Sequence, residues 1–274
     1  PLPRGERVLE GPAMTDLVLT QISADGVANV TLNRPEVMNA FNEAAIAAVT
    51  QAFQTLGADP AARVIVLRGA GKAFCAGGDL DWMRRTADYD YDANFADAYG
   101  LATMLRTVND CPKPTIAAVQ GAAFGGGVGL VAACDIAVAS DKALFSLSEA
   151  RLGLIPATIG PYVLAAIGAR ACRRYFLTAE RFDAAEALRI GLVHQTVAAD
   201  RLDEAVGAMI AKLREAGPQA QAACKALIRD VSGRGLDDAL IRDTAGRIAA
   251  IRASDEGREG IAAFLGKREP NWRS

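Results

Sequence analysis

The stretch that decides the fold is QGAAFGGGVGLVAACD, Gln120 to Asp135. Three consecutive glycines, Gly125 to Gly127, sit in an apolar run whose first charge is its last residue. Such a segment is either a membrane or core span, or a backbone arranged around a reacting atom. Residues 115–134 run without a charge and are long enough to cross a bilayer. Their content argues against a span. Gln120, Gly121 and the glycine triplet weaken a continuous helix, at about 1 kcal/mol per glycine relative to alanine. The flanking Lys and Arg residues show no positive-inside bias. Strand, glycine turn and buried helix is the better reading. A helix that begins near Gly126 points unpartnered N–H groups outward at the positive end of its dipole. That suits a bound phosphate or a developing oxyanion. Taken alone, glycines at a turn serve equally for close helix packing.

A second stretch shifts the balance. GKAFCAGGDLDWM, Gly71 to Met83, is also a glycine loop between a buried strand and a helix start, with Asp79 as a natural N-cap. Crevices at the carboxyl ends of parallel strands are where open α/β sheets bind ligands. Two loops at that end can each offer one backbone N–H to a single oxygen, which makes an oxyanion hole.

Outward from these loops the chain has an α/β rhythm. LVLTQIS and GVANVTL alternate as strands, and a helix capped by Asn39 or Asn42 follows to about Leu56. RVIVLRG (63–69) is a continuous apolar run, as expected of a buried parallel strand. Helical patterns follow at 80–86 and 93–109, then strands at 115–120 and in DIAVAS. Beyond Gly160 the pattern is mostly helical, apart from a short strand at 192–197. The predicted organisation is an α/β core over 14–199 and a helical region over 200–274. Met14 reads as the natural start, and residues 1–13 as a cloning scar or disordered extension that carries no secretory signal.

Composition excludes several classes of function. The 274 residues carry a net charge of −2 and no basic cluster longer than a dipeptide, so neither nucleic acid nor a membrane surface is an expected partner. Five cysteines without CxxC spacing read as reduced thiols of a cytoplasmic protein. The single histidine, His194, reads as a packed residue at a strand end, and no metal site is visible.

With both loops in view, the chain resembles the crotonase, or enoyl-CoA hydratase/isomerase, superfamily. The resemblance runs from about Leu17 to Trp272. KAFCAGGDLDWM and PTIAAVQGAAFGGGVGLVAACDIAVAS carry it, with NRPEVMNAFN, LSEARLGLIP, ERFDAAEALRIGLVHQTV and GIAAFLGKREPNW in the same order. It implies a ββα spiral core with a helical C-terminal trimerisation region, assembled as a homotrimer or dimer of trimers. It also implies an oxyanion hole made by the N–H groups of Gly78 and Gly126, which would hold the thioester carbonyl of an acyl-CoA. No tightly bound cofactor is implied; coenzyme A arrives as part of the substrate.

Hydratases of this superfamily carry two glutamates, three and twenty-three residues after the second oxyanion glycine. Here the first position is Gly129 and the second is Glu149. Read without the resemblance, Glu149 is an ordinary surface carboxylate. With it, Glu149 is the expected acid/base, and an apolar site would raise its pKa toward the working range. The missing side chain at Gly129 tilts the chemistry toward a double-bond shift or a one-base hydration. It is also expected to leave room for a bulkier acyl group.

The longer strings around the site are similar to bacterial 3-methylglutaconyl-CoA hydratase-type members, which act on branched, carboxylated enoyl-CoAs in leucine and terpene breakdown. Arg84, Arg85 and Tyr89 are the candidates to meet a distal carboxylate, and Trp82 and Met83 the candidate acyl-pocket residues. By resemblance the adenine would sit near the carbonyls beside Ala76, with Phe264 and Lys267 reaching the CoA of a neighbouring subunit. Glu36 stands where many members have a lysine. Three functions compete: an enoyl-CoA hydratase, a Δ3,Δ2-enoyl-CoA isomerase with the same site, and a non-catalytic acyl-CoA binder.

Overall fold

The computed structural model describes residues 7–8 and 16–273. Arg7–Val8 (β1) pairs antiparallel with Val18–Ile22 (β2). These two residues fall in the stretch expected to be an extension; the rest of 1–13 lies outside the described residues. Val27–Leu32 (β3) closes a hairpin with β2 and leads to Glu43–Ala58 (α1). The Asn42 side chain caps α1 by accepting the Ala45 N–H at 2.8 Å. Next come Val64–Gly69 (β4), Leu80–Thr86 (α2), Tyr91–Asn109 (α3) and Thr115–Val119 (β5). Ala123–Phe124 (β6), Gly126–Ala133 (α4), Ile136–Ser140 (β7) and Leu144–Ser146 (β8) follow. Gly160–Thr178 (α5), Arg181–Asp183 (β9), Ala184–Arg189 (α6) and Gln195–Val197 (β10) complete the spiral. The chain ends in Leu202–Arg214 (α7), Pro218–Val231 (α8), Asp238–Ala253 (α9) and Asp255–Leu265 (α10).

Among the described residues, seven strands form one sheet in the order β1-β2-β3-β4-β5-β7-β10, parallel from β3 onward. Side chains alternate between its faces. Ile65, Leu67, Ala117, Val119, Ala137 and Ala139 join the larger core, which α1, α3, α4 and α5 cover. Val64, Val66, Ile116, Ala118 and Val138 meet Leu202 and Val206 of α7. Both faces are therefore dry, which is why these strands read as unbroken apolar runs. The helical segment begins by roofing the sheet with α7, and only then leaves it.

A second sheet, β6-β8-β9, has no counterpart in the sequence reading. Its strands are two or three residues long, too short for a period-two signal. In α5, Gly168 is non-helical and kinks the helix. The C-terminal helices are tied back by Lys225 of α8, whose ammonium donates to Asp135 Oδ2 at 2.5 Å and to the Lys113 carbonyl at 2.9 Å. Among the described residues, no helix is long and apolar enough to cross a membrane.

Candidate active site

The two glycine loops lie at the carboxyl ends of β4 and β5. They are joined edge to edge by main-chain bonds. Cys75 N–H donates to Ala122 O at 3.0 Å, and Phe124 N–H donates to Cys75 O at 2.9 Å. The approach is close: a Cβ on Gly127 would lie 2.3 Å from Cys75 O, so only glycine fits there. At the turn itself Gly125 has φ 49° and ψ −117°, a conformation that L side chains rarely adopt. Two amides brace the first loop from behind. Asn39 Nδ2 donates to the carbonyls of Ala70 (2.9 Å) and Ala73 (2.8 Å), and Gln120 Nε2 donates to those of Gly69 (2.7 Å) and Ala73 (2.9 Å).

Asp79 ends the loop as predicted. Its carboxylate caps α2 by accepting the Asp81 N–H at 2.8 Å, and it pairs with Arg34 at 2.7 Å. Burial opposes its ionisation, but Arg34 and the N–H groups of Trp82 and Asp81 outweigh that and hold its pKa below the usual carboxylate range.

Phe41 was not singled out by the sequence reading, and it connects the two glycines. Its N–H donates to Gly77 O at 2.7 Å, and its carbonyl accepts the Asp79 N–H at 2.8 Å. This parallel bridge engages the residues on either side of Gly78 and turns the Gly78 N–H the other way. The Phe41 ring meanwhile packs on the second loop: a Cβ on Gly126 would lie 2.9 Å from its Cε2. Among the described residues, neither the Gly78 nor the Gly126 N–H has a protein acceptor. One buried aromatic residue therefore spaces two free donors. NRPEVMNAFN held this information, but a lone Phe in a run of mixed residues gives no hint of which backbone it will brace.

Glu149 stands on the far side of the second loop. The small second sheet brings it there. Phe124 is paired with Ser146 across β6 and β8, and Gly125 N–H donates to Ser146 O at 2.9 Å. Three residues past Ser146, Glu149 opens a short 3-10 turn, Glu149–Leu152. Its Oε1 would lie 3.2 Å from a Cβ on Gly125, and its Oε2 is buried without a hydrogen-bond partner. Burial pushes its pKa up, against the smaller effect of its own backbone N–H. A half-buried carboxyl with an unpaired oxygen, beside the glycine turn that opens α4, can take up and return a proton.

The remaining predicted positions divide. Trp82 and Met83 do lie against Gly78, with Trp82 Cζ3 and Met83 Cγ 3.3 and 3.4 Å from where its Cβ would be. The Trp82 indole is fixed by donating to Asp97 at 2.9 Å. Gly129 sits on α4, but the expectation that it leaves room is wrong: a Cβ there would lie 2.3 Å from Ile159 Cγ2, so the space is already filled. Arg84 and Arg85, expected to meet a distal carboxylate, are paired with Asp81 and Glu43. Ala76 is half-buried, its N–H donating to Met38 O at 3.0 Å. Phe264 and Lys267 lie at the end of α10, which packs on α8 and α9, and Phe264 is 82% exposed. His194 is exposed, yet its Nδ1 accepts the Ala137 N–H at 3.1 Å beside β7, a structural contact. Cys75 is fully buried with its thiol pushed up to about 12, so it is no nucleophile. Among the described residues, no group of three His, Cys, Asp or Glu side chains is placed to hold a metal.

This geometry has relatives. Residues 23–274 match the family model described as enoyl-CoA hydratase/isomerase. The chain is 36% identical over 250 residues to the enoyl-CoA hydratase ACTT6 of Alternaria alternata, covering 90% of this chain and 81% of the relative. Among solved structures it is similar to an enoyl-CoA hydratase from Shewanella pealeana, with a TM-score of 0.91, 43% identity and coverage of 93% and 96%. It is likewise similar to AtuE of Pseudomonas aeruginosa, with a TM-score of 0.89, 38% identity and coverage of 94% and 100%. The fold expected from the resemblance, a crotonase-like α/β core with a helical C-terminal region, is the one present. Matched almost end to end in sequence and in shape, the chain belongs to the enoyl-CoA hydratase/isomerase family, whose members are enzymes of acyl-CoA thioesters.

Proposed function

We propose that this enzyme adds water across the double bond of an α,β-unsaturated enoyl-CoA, using the Gly78 and Gly126 N–H groups as the oxyanion hole and Glu149 as the only acid/base. The observation that carries this reading is the unpaired, buried Oε2 of Glu149 beside the glycine turn. In the forward direction the Glu149 carboxylate takes a proton from water as the water oxygen bonds to Cβ. The π electrons move toward Cα, and the charge of the resulting enolate rests on the thioester oxygen between the two N–H donors. Glu149 then returns the proton to Cα, the enolate collapses to the thioester, and the carboxylate is restored. Each donor contributes about 3 kcal/mol of transition-state stabilisation. The raised pKa of Glu149 suits a group that must be both base and acid within one turnover.

Trp82 and Met83 would line the acyl pocket, the adenine would lie near the Ala76 carbonyl, and Phe264 and Lys267 would reach a neighbouring subunit's CoA in a homotrimer or dimer of trimers. The exposed apolar residues of the C-terminal helices, Ile241, Ile248, Ile261 and Phe264, support assembly through that region. A cytoplasmic location fits the dispersed reduced thiols. A branched acyl group is proposed from the similarity to 3-methylglutaconyl-CoA hydratases. A distal carboxylate on it would have to draw Arg84 or Arg85 away from an acidic partner.

The second reading, a Δ3,Δ2-enoyl-CoA isomerase, is favoured by one observation: Gly129 supplies no second carboxylate. The test is mass spectrometry of crotonyl-CoA and 3-methylglutaconyl-CoA after incubation with the enzyme and with Glu149→Gln. Addition of one water, lost in the variant, supports the hydratase. No mass change, with a double-bond shift on a 3-enoyl-CoA, replaces it with the isomerase. Tight acyl-CoA binding without either turnover would leave only the binder.

A further inference from the structure

Gly126 and Gly129 are three residues apart on α4, so they share a face and lie about 4.5 Å apart along the axis. The neighbours along the start of this helix differ in character. Glu149 stands beside the N-cap residue Gly125, and the Phe41 ring packs over Gly126. Over Gly129 stand two aliphatic side chains: a Cβ there would lie 2.3 Å from Ile159 Cγ2, 2.9 Å from Ile159 Cβ and 3.4 Å from Leu105 Cδ2. Leu105 is fully buried and Ile159 is 1% exposed.

Ile159 cannot swing aside. The close atom at 2.9 Å is its own Cβ, bonded to the backbone. That backbone is held at the start of α5, where the Ile159 carbonyl accepts the Tyr162 and Val163 N–H groups at 3.1 Å each. A β-branched side chain has few rotamers in any case. The side-chain volume missing at Gly129 is therefore occupied, and by groups that neither donate nor accept a proton.

We propose that Ile159 is a specificity-determining residue: it fills the place of a second carboxylate and thereby holds the site to single-carboxylate chemistry. The inference rests on the acid/base reading given above and deepens it. An aliphatic plug cannot fix a water molecule, because a water needs two or more polar partners to stay bound in a buried site. Of the side chains on these two flanks, only Glu149 is then left to help hold the water that adds. Reaction modes that need no fixed water, the double-bond shift among them, gain relative to hydration. The restriction is two-sided, because Gly129 without Ile159 would leave a cavity and Ile159 without Gly129 would clash.

The test is a set of variants with two independent readouts: thermal stability, and the ratio of crotonyl-CoA hydration to the double-bond shift of a 3-enoyl-CoA. Gly129→Glu alone is expected to lower Tm. Adding Ile159→Ala restores part of the loss and adding Ile159→Gly restores more, since alanine keeps the Cβ that stands 2.9 Å away. In Gly129→Glu/Ile159→Gly the ratio of hydration to isomerisation is expected to rise about 10²-fold over Ile159→Gly alone, the lower end of what a general acid/base contributes. If Gly129→Glu is as stable as the parent, Ile159 is not a plug and the proposal falls. If stability recovers in the double variant but the ratio stays put, Ile159 is a packing residue and the proposal falls as well. If the parent turns over neither substrate while the stability coupling appears as described, the failure lies with the acid/base reading. Should Ile159→Gly not fold, Ile159→Ala carries the same comparison at smaller amplitude.

Discussion

The two flanks of the first turns of α4 differ sharply in chemical character. Beside Gly125 lies a carboxyl with one oxygen buried and unpaired. Beside Gly129, one turn on, lie Ile159 and Leu105, buried and aliphatic. The helix supplies the same glycine surface to both. What differs is the element that arrives over it: a 3-10 turn aligned by the β6–β8 pairing on one flank, and the start of α5 on the other. A helix N-terminus thus sets where charge can be stabilised, while segments remote in sequence decide whether a proton can be moved there.

The largest expected effect breaks the polar flank. Glu149→Gln should lower kcat for hydration by about 10²- to 10⁴-fold, the usual contribution of a general acid/base, with acyl-CoA affinity little changed. In the parent, kcat/KM should rise with pH and level off above an inflection that lies higher than the ordinary glutamate value of about 4.3, because burial raises this carboxyl. An inflection at or below the ordinary value would remove Glu149 from the base role.

Next in size is the hole between the flanks. Gly126→Ala brings a Cβ to 2.9 Å from Phe41 Cε2, so either the ring or the helix start must shift. Loss of one aligned donor predicts a fall in kcat of about 10²-fold or more, read in steady-state kinetics. An unchanged kcat would show that this N–H does not face the substrate oxygen. Phe41→Leu should act more gently, since the main-chain bridge to Gly77 and Asp79 survives and only the ring spacing is lost. A fall in kcat of about tenfold is expected, against the 1 to 3 kcal/mol typical of an imperfectly repacked core site. A fall in Tm with kcat intact would make Phe41 a core residue only.

The smallest effect is a stability difference with a definite sign. In the unfolded chain Glu149 titrates as an ordinary carboxyl; in the folded enzyme its pKa is raised. Above both values the buried carboxylate destabilises the fold, and below both the difference vanishes. Glu149→Gln should therefore melt slightly higher than the parent at neutral pH. The gap should close as the pH falls through the folded and then the unfolded value. A variant less stable than the parent at neutral pH would contradict the burial penalty.

Much of this site was legible beforehand, for reasons that differ from residue to residue. Asp79 announces its helix because capping is local chemistry, settled within three residues; Asn42 is one of two candidates, and the structure gives the cap to it and turns Asn39 to the loop. The strands at 63–69 and 115–120 announce themselves because burial on both faces leaves an unbroken apolar run. Gly78, Gly126 and Glu149 are singled out only through the family resemblance; in the fold Gly78 lies on the first glycine loop, and Glu149 lies beside Gly125 on the second. The second sheet escaped, because strands of two or three residues have no period to detect.

By itself the sequence determined the long strands and helices, the Asp79 cap, the two glycine turns and the absence of a carboxylate at position 129. Each of these depends on residues within a turn or two of one another, where propensity and periodicity act. Only the tertiary structure decided that Phe41 spans both glycines, that Arg85 is already paired with Glu43, and that Ile159 fills the gap at Gly129. Those outcomes turn on contacts between elements far apart in the chain. A missing side chain records only that space was not used from one side, and packing alone reveals what came in from the other.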